Sequence, residues 1–98
     1  MPGDLMGLQE HRSEIEEIDE QIIKLINRRI SISKKIFEAK RLEGKPISDP
    51  EREKRVLSRA TDLATELNLD AGAVKSIFQT LIAMSINKQQ ELQGRDQG

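Results

Sequence analysis

Leu8, Ile15, Ile18, Ile22, Leu25, Ile32 and Ile36 recur at spacings of 3, 4 and 7, with no Pro or Gly between the first and the last. That is the repeat of one face of a single α-helix. The spacing predicts an unbroken helix from about Leu5 to about Arg41, roughly 55 Å long at 1.5 Å per residue. Average globular helices run only about 11 or 12 residues. A chain of 98 residues cannot wrap a helix of that length on all sides.

The rest of the chain is punctuated. Gly44 suits a left-handed helix end and Pro46 blocks continuation, so Glu43 to Ser48 reads as a loop. In Asp49-Pro50, the residue before proline is pushed out of the helical region while proline suits the first turn, which makes Asp49 an N-cap. A second helix is expected from Pro50 to about Leu67, with Val56, Leu57, Ala60, Leu63, Ala64 and Leu67 on its apolar face. Asn68 and Asp70 make the next break, Asp70 being the cap of a third helix from about Ala71 to about Leu92. Its apolar side carries Val74, Ile77, Phe78, Leu81, Ile82 and Leu92, and Gly94 to Gly98 is expected to fray.

The fold class is therefore all-α, one domain over residues 1–98 with one long and two shorter helices. The shorter helices laid end to end would reach about 60 Å and line one side of the long one. The long helix would still show a wide apolar stripe to water. With 34% charged residues and only 2% aromatic ones, a monomer core would be thin. An antiparallel, intertwined helical-bundle homodimer is expected, the two long helices pairing.

Composition removes several function classes. There is no Cys, hence no disulfide, no thiolate nucleophile and no cysteine-ligated zinc. No apolar run approaches the roughly 20 residues that span a bilayer, and Met1 to Glu10 has no signal-peptide pattern, so a cytoplasmic, membrane-free protein is expected. A net charge of −1 without Trp or Tyr argues against a nucleic-acid surface. No Ser-His-Asp set, Gly-rich phosphate loop or metal motif occurs, and no cofactor is expected. His11 stands alone and reads as a surface residue.

Polar residues interrupt the apolar stripes. Arg29 falls between Leu25 and Ile32 on the seam of the long helix, and Lys40 lies three turns further on the same face. Ser85 and Gln89 continue the stripe of the third helix, while Arg52 and Glu53 precede Val56 and Leu57 by four residues. Singly, a seam arginine can set register or join an ion pair, and a core Ser or Gln can have a local partner. Together, cations, neutral hydrogen-bonding groups and a carboxylate on inward faces describe a polar pocket inside a bundle. Its ligand would be an anion with more than one carboxylate or phosphate.

Ile18-Asp19 with Leu25 and Arg28-Arg29, then Lys40, Ile47-Ser48-Asp49-Pro50-Glu51-Arg52-Glu53, Ile77-Phe78-Gln79 and Ser85 to Gln90 closely resemble the all-helical class of chorismate mutases. The resemblance spans about Leu5 to Leu92. It implies a homodimer of three-helix chains that converts chorismate to prephenate by an intramolecular Claisen rearrangement in phenylalanine and tyrosine biosynthesis, without cofactor or metal. It also implies the residue roles. Arg29 and Arg12 grip the two carboxylates, with Arg12 contributed by the other chain. Lys40 and Gln89 hydrogen-bond the ether oxygen, and Ser85 assists at a carboxylate. Glu53 accepts from the ring hydroxyl, with Asp49 and Arg52 orienting that end. Arg12 and Arg29 stand 17 residues apart, roughly 25 Å along one helix, too far for one small ligand to bridge. The alternatives are a lyase releasing pyruvate from isochorismate on the same scaffold and a non-catalytic helical dimerisation module.

Overall fold

The computed structural model describes residues 7–97. It comprises three helices, α1 (Leu8–Glu43), α2 (Pro50–Glu66) and α3 (Ala71–Gln97), and no strand among the described residues. The expected onset of the first helix near Leu5 lies outside the described residues.

The ends are set locally. Gly44 closes α1 in the left-handed region at φ 68°. Its N–H donates to the Arg41 carbonyl at 3.2 Å, and the Lys45 N–H reaches back to Lys40 at 2.8 Å, the paired bonds of a Schellman motif. Asp49 caps α2, its Oδ1 accepting from the Arg52 N–H at 3.2 Å. Asn68, also left-handed at φ 60°, closes α2 with the same pair of bonds, Asn68 to Thr65 and Leu69 to Ala64. Asp70 Oδ1 then accepts from the Ala73 N–H at 3.1 Å and starts α3.

Two expectations are corrected. α3 does not stop near Leu92 but runs through Gly94 to Gln97. A helical Gly costs about 1 kcal/mol relative to Ala. Part of that cost is offset where Glu91 pairs with Lys88 at 3.2 Å and with Arg95 at 2.7 Å across the same turns. Nor do the shorter helices lie end to end. The two caps reverse the chain within residues 67–70, so α2 folds back on α3 as an antiparallel hairpin, bringing Val56 near Ile82 and Ala60 near Phe78.

The hairpin is welded by small residues. Ala60 and Ala64 are buried, with Val56, Leu57, Val74 and Phe78 half-buried beside them. α3 in turn packs along the second half of α1, whereas α1 and α2 do not pack on each other. The opening between them is roofed by α3. Phe37 is the one large apolar side chain among the buried residues described. Among the described residues nothing covers the first half of α1, and the radius of gyration is 18.2 Å, against about 13 Å for a compact chain of this length.

Candidate active site

The opening between α1 and α2 is a cavity of about 450 Å³, of ordinary size for a small-molecule site. Arg29, Ser33 and Lys40 face it from α1, Asp49, Arg52 and Glu53 from the start of α2, and Ser85 and Gln89 from α3. Ile32, Ile36, Ile47, Val56, Ile82 and Ile86 complete its walls. Seven of the eight residues singled out in the sequence thus meet in one place; Arg12 is not among the lining residues.

Arg29 is the best fixed of the cations. Its Nη1 donates to the Leu81 carbonyl at 3.1 Å and to Ser85 Oγ at 2.8 Å, which holds the guanidinium against α3. Burial lowers its pKa from the ordinary arginine value, and the positive charge of Arg52 lowers it further. A guanidinium does not give up its proton under these conditions. The charged form is therefore held at a cost that an incoming anion would relieve.

Lys40 is half-buried near the C-terminus of α1, and its Nζ donates to the Ile47 carbonyl at 2.5 Å. That bond ties the 44–49 loop to α1 and aims the ammonium along the cavity wall. An ammonium has three N–H donors, so two remain. On α2, the Asp49 N–H donates to Glu53 Oε2 at 3.4 Å while Asp49 Oδ1 accepts from Arg52. This reciprocal cap, close to a capping box, fixes Asp49 and Glu53 at the mouth and leaves carboxylate lone pairs of Glu53 available.

Gln89 is only 5% exposed, yet its Oε1 has no hydrogen-bond partner among the described residues. Such a buried polar atom costs about 1 to 3 kcal/mol. An amide can turn either its oxygen or its NH2 to that place. This end of the cavity is built to receive a polar group.

Sequence reasoning missed two things. Ser33 is 4% exposed and lies within 2.8 Å of Ser85 Oγ. The available signal was its position four residues after Arg29, on the same face. The apolar wall from Ile82 and Ile86 on α3 gave no signal of a site, because apolar residues on an apolar stripe look like ordinary core. No group of three or more His, Cys, Asp or Glu side chains suited to a metal occurs among the described residues, and no described helix is long and apolar enough to cross a membrane.

Residues 11–90 match the family described as chorismate mutase type II. The chain is 47% identical over 75 residues to a chorismate mutase of Methanocaldococcus jannaschii, covering 76% of each chain. It is 32% identical over 81 residues to the bifunctional chorismate mutase/prephenate dehydratase of Escherichia coli K12, covering 83% of this chain and 21% of that one. The corresponding bifunctional protein of Aquifex aeolicus is 40% identical over 60 residues, 61% of this chain and 17% of that one. The chain thus spans about a fifth of the length of these bifunctional relatives.

Proposed function

The chain belongs to the chorismate mutase type II family and converts chorismate to prephenate, and from that premise we propose that the cavity between α1 and α2 is its active site, completed by a second copy of the chain. The observation that supports this most is Arg29, partly buried, hydrogen-bonded to α3 and set near a second cation, Arg52. Two cations held close in a cavity whose remaining walls are largely apolar suit a carboxylate.

The reaction shifts an enolpyruvyl group within one molecule. It needs the substrate folded so that its two reacting carbons meet, and it needs the charge growing on the ether oxygen stabilised. Arg29 anchors one carboxylate, with Ser85 beside it. The partner subunit's Arg12 anchors the other, since Arg12 of the same chain is outside the cavity. Two fixed carboxylates hold the compact conformer, which supplies the orientation part of the rate. Lys40, with two N–H donors to spare, and the amide of Gln89 then meet the ether oxygen. Donors placed before the reaction stabilise that oxygen more in the transition state than in the ground state. Glu53 accepts from the ring hydroxyl, with Asp49 and Arg52 orienting that end.

The homodimer is supported by the exposed stripe of α1. Ile15, Ile22 and Leu25 are 57%, 49% and 61% exposed, along one helix face that no described part of the chain covers. We further assign residues 1–98 to a single catalytic domain. The dehydratase named in the bifunctional relatives acts on prephenate, which favours a role in aromatic amino acid biosynthesis. A cytoplasmic setting fits the cysteine-free composition.

The test is loss of the chorismate diene absorbance, with prephenate as product, followed with little protein background because the chain has neither Trp nor Tyr. Arg29→Ala should lower kcat/KM about a thousandfold, the scale of removing a group that faces developing charge or anchors the substrate, with the helical circular dichroism retained. Undiminished turnover in that variant would remove the cavity from the reaction.

A further inference from the structure

Ser33 lies on α1 one turn beyond Arg29, in the cavity wall, and its hydroxyl bonds are to Ser85 and to the Arg29 backbone. Its Oγ is 2.8 Å from Ser85 Oγ and 3.1 Å from the Arg29 carbonyl oxygen. Ser85 Oγ also accepts from Arg29 Nη1 at 2.8 Å. A hydroxyl has one proton to give and two lone pairs to receive with. Ser33 can therefore serve one of its two neighbours at a time, and the choice decides what Ser85 does.

If Ser33 donates to the Arg29 carbonyl, Ser85 can donate back to Ser33, and the pair is closed on itself. If Ser33 donates to Ser85, both Ser85 lone pairs are filled, one by Ser33 and one by Arg29. The Ser85 proton is then left to the cavity. The carbonyl of Leu81, one turn earlier on the same helix, already accepts from Arg29 at 3.1 Å. We propose that Ser33 is a positioning residue that makes Ser85 an obligate hydrogen-bond donor to the anionic substrate.

An anion entering beside Arg29 favours the second arrangement, because there the Ser33 proton holds the Ser85 oxygen and the Ser85 proton is not drawn back to Ser33. The chain then runs from Ser33 through Ser85 to the substrate carboxylate, each bond polarising the next. Because Ser33 is 4% exposed, water does not compete for its proton. The inference rests on the proposed placement of Ser85 at a substrate carboxylate. That contact is the same in ground and transition states, so its loss falls on KM and not on kcat.

The experiment measures kcat and KM for chorismate, and thermal melting, in Ser33→Ala, Ser85→Ala, the double variant and Ser33→Thr. Ser85→Ala and Ser33→Ala should each raise KM about fivefold, the scale of one hydrogen bond, with kcat changed less than about twofold. The double variant should be no worse than Ser85→Ala, because Ser33 acts through Ser85. Ser33→Thr keeps a hydroxyl within reach of the same acceptors and should restore KM. If Ser85→Ala raises KM while Ser33→Ala only lowers the melting temperature, Ser33 is structural and the inference is overturned with the site intact. Multiplying effects in the double variant, or a folded Ser33→Thr with KM still raised, overturn it equally. An unchanged KM in Ser85→Ala would instead overturn the placement of Ser85 itself, and with it the role of Ser33.

Discussion

The two halves of α1 carry the same apolar repeat and meet different fates. From residue 29 onward the helix packs on α3, buries Phe37 and Ser33, and turns Arg29 and Lys40 into the cavity. Before residue 29 the same face leaves Ile15, Ile18, Ile22 and Leu25 exposed. Amphipathic periodicity therefore specifies that a face will be covered and does not specify by what. The second half packs part of its surface on the chain's own α3, with Ile32 and Ile36 left 43% and 44% exposed beside the cavity, and the first half is proposed to be covered by another copy. On this reading one helix supplies Arg29 to its own site and Arg12 to its partner's.

The largest effect on assembly should separate the halves directly. Ile22→Asp puts a charge on the exposed stripe, where burial of an unpaired carboxylate is strongly opposed. It should shift the proposed dimer to monomer in sedimentation, with turnover falling about a hundredfold or more. Phe37→Ala in the packed half should instead lower stability by about 3 to 5 kcal/mol in urea unfolding. A dimer that survives Ile22→Asp would break the comparison.

Next in size is a pH effect at Gln89. Gln89→Glu places a carboxyl in a site that is 5% exposed, where burial raises its pKa above the ordinary value of about 4.3. Only the protonated acid can donate to the ether oxygen. Activity should be retained below that raised pKa and fall about tenfold per pH unit above it. A flat pH profile of kcat would exclude Gln89 as that donor.

The smallest effect sharpens the comparison most. Arg12→Ala and Arg29→Ala should each be nearly inactive alone. Mixed and allowed to exchange subunits, half the dimers would be hybrids, each with one intact site and one lacking both arginines. Recovery of about a quarter of the unmutated activity is expected from this pairing. No recovery after demonstrated exchange would place both arginines in the same chain's site.

Much of this was legible in the residues. The Gly44 and Asn68 ends and the Asp49 and Asp70 starts follow from side-chain chemistry within four residues, and they fall where the sequence puts them. The site was legible as Arg29, Lys40, Ser85 and Gln89 standing where hydrophobes were expected, which is a contrast against a pattern. Ser33 escaped because a helical Ser can satisfy itself on the carbonyl four residues back, as Ser31 does at 3.2 Å, so its place one turn after Arg29 was the one mark it carried. The run of α3 past Gly94 escaped for a different reason: one weak helix former loses to a side-chain pair just before it and another that spans it.

What the sequence by itself determined is the set of helices, their faces and the polar residues those faces carry, because capping, periodicity and helix propensity act over a few residues. What only the tertiary structure decided is which faces meet. The sharp reversal at residues 67–70 sends α2 back along α3 and keeps it off α1. The cavity is the gap that this leaves, and Ser33 meets Ser85 across 52 residues of chain. Contacts of that kind depend on the direction in which each cap releases the chain and on which side chains are small enough to pack, as Ala60 and Ala64 are. A helical repeat carries neither quantity.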